Sequence, residues 1–158
     1  MSGKVSTRCG GGTLAGVTPP FRHRIRVRYS ECDAQGVVFN ANYLTFFDLA
    51  ITELWREAIG PYQAMTERGV DMVVGEANVR YYSPARFDDE IDLGVEVVRL
   101  GTTALTTRMT VERDGELLAE GLMRHVFVEV AGGGKTEIPA DIRAALTPYL
   151  AEPAEAAS

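Results

Sequence analysis

The 158-residue chain has little of what builds a cofactor or metal centre: two cysteines (Cys9, Cys32), two histidines (His23, His125) and one tryptophan (Trp55). Two thiols make no disulfide framework, and no Cys-x-x-Cys or Cys/His spacing offers metal ligands. A reducing, cytoplasmic setting is therefore expected. No apolar run approaches the ~20 residues a membrane-spanning helix needs. P-loop and dinucleotide glycine patterns are absent, which argues against nucleoside-triphosphate and nicotinamide chemistry. Acid is missing from residues 1–28, which hold Lys4, Arg8, Arg22, Arg24, Arg26 and Arg28. All 22 acidic residues follow, giving a net charge of -6. The region expected to fold is thus acidic, which speaks against a nucleic-acid partner. The first 20 residues, rich in Gly, Ser and Thr, lack the apolar stretch of a secretory signal. Gly10 to Gly12 and Pro19-Pro20 also spoil a targeting helix. The expectation is a disordered tail over 1–20, one domain over 21–150, and a second tail over 151–158.

Within the domain the hydrophobic period changes once. From Phe21 to Tyr29, apolar residues and His23 alternate with four arginines, as in a strand. An irregular stretch, SECDAQGVVFNAN, follows. From Tyr43, the residues Leu44, Phe47, Ile51, Leu54, Trp55 and Ala58 fall at helical spacing. Asn40 or Asn42 is a plausible N-cap, and Gly60-Pro61 ends the helix. Strands are expected at Met72–Tyr82, Ile91–Val97, Leu105–Glu112 and Leu117–Val130, with Asp114-Gly115 as a hairpin turn. A short helix is expected between Pro139 and Leu150. Strands without intervening helices favour antiparallel pairing. The architecture read from this pattern is α+β: a curved antiparallel sheet of about five strands wrapped around one long helix.

That order, with the segment from Tyr29 to Tyr43, resembles the hot-dog fold thioesterases, most closely the 4-hydroxybenzoyl-CoA thioesterase-like group with its general acyl-CoA members. Asp33, Gly36, Val37, Val38, Asn42 and Tyr43 match the family's loop pattern. The stretch from Arg80 to Glu90, with Ser83, Pro84, Ala85 and Arg86, resembles its strand-to-strand turn. The resemblance implies hydrolysis of an acyl-CoA thioester to free acid and CoA, with no cofactor beyond the CoA of the substrate. It implies that Asp33 acts as nucleophile or general base, and that the Asn40 backbone N–H polarises the carbonyl. Asn40 occupies a position that is often Tyr or His in the family. The resemblance also implies a homodimer with sites at the subunit interface, or a homotetramer as a dimer of dimers.

The chemistry fits the residue types. A thioester carbonyl needs a nucleophile or activated water and a group to hold the developing oxyanion. Free amides at a helix N-terminus, here around Phe39 to Tyr43, supply the second need. Asp33 supplies the first, and Gly36 turns the chain between them. Asp33 read alone is equally a turn residue bonding its own backbone. Val38, Phe39, Tyr43, Ser83 and Arg86 are candidate substrate contacts, and Arg86, Arg99 and Arg124 are candidates for the CoA phosphates. For Ser83 the simpler reading is a turn hydroxyl, and for the arginines a solvated surface. Asp48 and Glu53 read as solvated or subunit-contact residues, the histidines as structural, and Phe46, Phe47 and Trp55 as core or subunit contacts. Cys32 lacks a nearby base. The hydratase signature D-x4-N-x2-H fails, because Val38 and Ala41 stand at the required offsets from Asp33. The alternative of a different class is a non-catalytic acyl-CoA or acyl-carrier-protein binding module.

Overall fold

A computed structural model describes residues 19–152. The expected tails, apart from residues 19–20 and 151–152, lie outside the described residues, as does Cys9. Ten-residue-scale alternation becomes five strands: β1 (Phe21–Arg26), β2 (Val70–Tyr81), β3 (Glu90–Leu100), β4 (Ala104–Arg113) and β5 (Glu116–Glu129). They form one antiparallel sheet in the order β1-β3-β4-β5-β2. Asp114 and Gly115 both have positive φ, at 50° and 80°. This is the two-residue hairpin geometry whose twist matches that of the flanking strands.

The long helix α1 (Asn42–Ala58) lies on the inner face of the sheet. Tyr43, Phe46, Phe47, Ala50, Ile51, Leu54 and Trp55 are its buried stripe. They meet Leu93, Val95, Val97, Leu105, Met109 and Phe127 from the sheet. Each large side chain removed from water contributes about 1.5–3 kcal/mol. The approach is close at Gly121 on β5, where an added Cβ would stand 2.5 Å from the Phe47 ring. Phe46, Phe47 and Trp55 are thus core residues, no more than 1% exposed.

The structure corrects or adds to the local reading at three points. Neither Asn40 nor Asn42 caps α1; the N-cap is Ala41, without a side-chain cap bond. The Asn42 side chain instead donates to the Glu31 carbonyl at 2.7 Å. A short helix, α2 (Tyr62–Glu67), lies between the end of α1 and the strand expected from Met72, where no helix was expected. Pro61 precedes it as the N-cap, and a length of six residues gives no helical period to detect. At the C-terminus α3 (Ala140–Leu146) forms as expected, followed by a short 3-10 turn. Finally, the β1 arginines answer acids of their own chain. Arg24 bonds Asp92 through two nitrogens at 2.9 Å, Arg22 reaches Asp92 and Glu112, and Arg26 reaches Asp88 and Glu90.

Candidate active site

The segment between β1 and α1 is a small hairpin. Cys32 and Val38 pair across it, and the Asp33 N–H donates to the Val37 carbonyl at 2.9 Å. At the tip, the Gly36 N–H donates to the Asp33 carbonyl at 3.0 Å. The Gln35 N–H donates to Asp33 Oδ1 at 2.8 Å. This Asx-type turn holds the carboxylate by one oxygen. The other, Oδ2, has no protein partner among the described residues. Asp33 itself is half-buried.

This hairpin is tied to the turn between β2 and β3. Val37 pairs with Arg86, and the Val38 N–H donates to the Ala85 carbonyl at 2.8 Å. The Ala85 N–H donates to the Tyr43 hydroxyl at 3.1 Å. Burial pushes the Tyr43 phenol up from its ordinary pKa, so the hydroxyl stays neutral. Glu31, which was not read as part of the site, and Tyr81 complete the frame. The Glu31 carbonyl accepts from the Phe39 N–H at 2.9 Å, while its carboxylate takes the Arg28 guanidinium at 2.7 Å. The Tyr81 hydroxyl donates to the Asn40 carbonyl at 2.9 Å. The Arg28/Glu31 spacing was the available signal for the first; the second is a long-range contact with no local signature.

The start of α1 closes the site. The N–H groups of Asn42 and Tyr43 bend back to the carbonyls of Phe39 and Asn40, at 2.9 and 3.4 Å. The N–H groups of Asn40 and Ala41 have no protein acceptor among the described residues, and both residues are exposed. Two free amides at the positive end of a 17-residue helix form an anion-stabilising end. The strand pairing and hydrogen bonds bring Asp33, Gly36, Val38, Phe39, Asn40, Tyr43 and Arg86 into one construction.

Within that construction the candidate contacts differ in exposure. Val38 and Tyr43 are buried, at 4% and 3% exposed, whereas Phe39 is 49% exposed. Ser83 is half-buried and donates its N–H to the Leu118 carbonyl at 3.1 Å; Arg86 is exposed. Arg99 and Arg124 lie elsewhere, exposed on β3 and β5. Glu53 pairs with Arg56 on α1, and Asp48 is exposed farther along the helix. Cys32 is partly buried, with its sulfur 3.8 Å from the Arg28 carbonyl. No cluster of three or more His, Cys, Asp or Glu among the described residues could hold a metal ion.

The profile of the thioesterase-like superfamily matches residues 27–146, a span that contains this whole construction. The chain belongs to that superfamily. It is similar to the acyl-CoA thioester hydrolase YbgC of Escherichia coli O6:H1, with 36% identity over 113 residues, covering 71% of this chain and 84% of YbgC. A protein of Thermus thermophilus superposes with a TM-score of 0.76 at 35% identity, covering 81% of this chain and 98% of that one. A thioesterase from the same species, solved with coenzyme A and zinc, superposes with a TM-score of 0.72 at 31% identity, covering 85% and 97%. The curved five-stranded sheet around α1 is the hot-dog fold of this superfamily, and the chain is a thioester hydrolase.

Proposed function

We propose that the protein hydrolyses an acyl-CoA thioester to a free acid and CoA, using Asp33 and the helix-terminal amides of Asn40 and Ala41. The observation that carries this reading is the pairing of a carboxylate oxygen left free by its turn with free amides on the same braced hairpin. The thioester carbonyl accepts from the Asn40 N–H, which stabilises negative charge as the carbonyl carbon becomes tetrahedral. Asp33 either attacks that carbon, forming an acyl-aspartyl anhydride that water opens, or takes a proton from the attacking water. CoA leaves as its thiol. Gly36 shapes the turn, Val38 and Tyr43 hold the hairpin from within, and Phe39, Ser83 and Arg86 stand where thioester and CoA approach. A backbone donor does this work at Asn40 whatever its side chain. The assembly that goes with this reading is a homodimer or a dimer of dimers.

Asp33→Asn tests the reading cleanly, because the amide oxygen still accepts from the Gln35 N–H. The expected outcome is a loss of kcat on acyl-CoA substrates of about 100-fold or more, with thermal unfolding little changed. A variant as fast as wild type overturns the role of Asp33. A wild type that binds acyl-CoA and hydrolyses none makes the chain a binding module. In single turnover in 18O-labelled water, label in the Asp33 carboxyl marks an anhydride opened at its aspartyl carbonyl, whereas label in the product acid alone fits either route.

A further inference from the structure

Strand β2 ends the sheet, so one of its edges pairs with β5 and the other faces away from the sheet. Its residues from Val73 to Asn78 are exposed without a break. The opposite edge strand, β1, is half as long, and its arginines are taken up by acids of the same chain. The charges of β2 are not. Past the bulge between Val74 and Glu76, the residues Glu76, Asn78 and Arg80 stand on the outer face, opposite Arg124, Leu122 and Glu120 of β5. All three are exposed and line one groove. Neither Glu76 nor Arg80 has an ion-pair partner among the described residues. The Glu120 carboxylate opposite Arg80 is held instead by Arg108 at 2.6 Å.

A second copy of β2 laid antiparallel along this edge is related to the first by a two-fold axis, so each contact occurs twice. Alternate side chains point to opposite faces, so the axis falls at a residue and not between two. An axis at Glu76 or at Arg80 sets like charges directly opposite, which is destabilising. An axis at Ala77 sets Glu76 against Asn78, and one at Val79 sets Arg80 against Asn78; each leaves a charge unmatched. An axis at Asn78 sets Glu76 against Arg80 on both sides of the centre and Ala77 against Val79 on the inner face. The order Glu-x-Asn-x-Arg is thus complementary to itself in one register alone.

We propose that two copies join through β2 with Asn78 at the two-fold axis, the Glu76 carboxylate of each copy pairing with the Arg80 guanidinium of the other. The proposal rests on the dimer of the acyl-CoA thioesterase reading and specifies how that dimer selects its register. Exposed ion pairs add little affinity by themselves; placed twice by symmetry, they penalise every slipped pairing. Register matters to the site because Tyr81, whose hydroxyl holds the Asn40 carbonyl, directly follows Arg80 along the joined edge.

Sedimentation over a dilution series tests the pairing. Glu76→Arg and Arg80→Glu each set like charges opposite at both places, and each should raise the dissociation constant of the dimer by about 10-fold or more. Mixed in equal amounts, the two variants present complementary edges and should recover the wild-type constant. Asn78→Cys gives an independent check. Residues directly opposite in an antiparallel pair lie within disulfide reach, so mild oxidation should yield a covalent dimer. Ala77→Cys, and wild type as the control for Cys9 and Cys32, should not. A dimer that neither charge variant weakens, or one that cross-links through Ala77→Cys and not Asn78→Cys, overturns this register and leaves the dimer standing. A wild type that stays monomeric overturns both. Neither result touches the thioesterase reading, which fails only if wild type hydrolyses no acyl-CoA.

Discussion

Gly36 shows how one residue decides the geometry of the site. Its φ is +75°, and an added Cβ there would meet nothing within 4 Å. Space is therefore not the constraint; backbone conformation is, because a left-handed L residue costs roughly 1–2 kcal/mol. Gly36→Ala should lower stability by about 1 kcal/mol in urea unfolding, and lower kcat more than it raises KM. Unchanged kinetics would show that the turn does not position Asp33. The glycine, and the aspartate three residues before it, were legible in the sequence. The free Oδ2 was not, because it depends on which carboxylate oxygen the Gln35 amide takes.

Among the elements, β1 carries a testable electrostatic design. Its arginines sit on one face, opposite acids from β3 and β4. The Arg24 guanidinium, bonded to Asp92, holds that carboxyl below the ordinary aspartate range. A depressed folded-state pKa means that the contribution is complete above the unfolded value of about 3.9. It is lost as the pH falls through the folded value. The stability gap between wild type and Asp92→Asn should therefore be widest near neutral pH and shrink below pH ~4, read by urea unfolding at pH 7 and pH 3. A gap independent of pH would assign the effect to packing. The alternating arginines were visible in the sequence. Their partners lie some 60 to 90 residues away in the chain, so they emerged only with the sheet order.

For the whole molecule, the open strand β2 is the feature that calls for a partner. It is an edge strand of 12 residues, with Val73 and Val74 46% and 50% exposed. A long, partly apolar edge left uncovered invites pairing with another chain, and a second copy is the occupant that the dimer reading requires. Sedimentation at micromolar concentration should give a dimer mass or a multiple of it. Val74→Lys should shift that mass toward the monomer with activity falling in parallel. A fully active wild-type monomer would overturn the interface reading.

Local pattern determined a good deal: the long helix, four further strands beyond the first, the Asp114-Gly115 hairpin, and the loop bearing Asp33. Each is set by hydrophobic period or turn chemistry acting over a few residues. The short α2 escaped that reading because six residues show no period, and the uncapped start of α1 because a neighbour in space overrode local preference. Asn42, a good cap by type, is drawn off to Glu31. Tertiary structure alone decided that Tyr81, Tyr43 and Ala85 brace the hairpin, and that His125 and Trp55 share one cavity. These contacts join residues some 40 to 70 positions apart. Periodicity says which face of an element a residue occupies, but not which distant residue faces it.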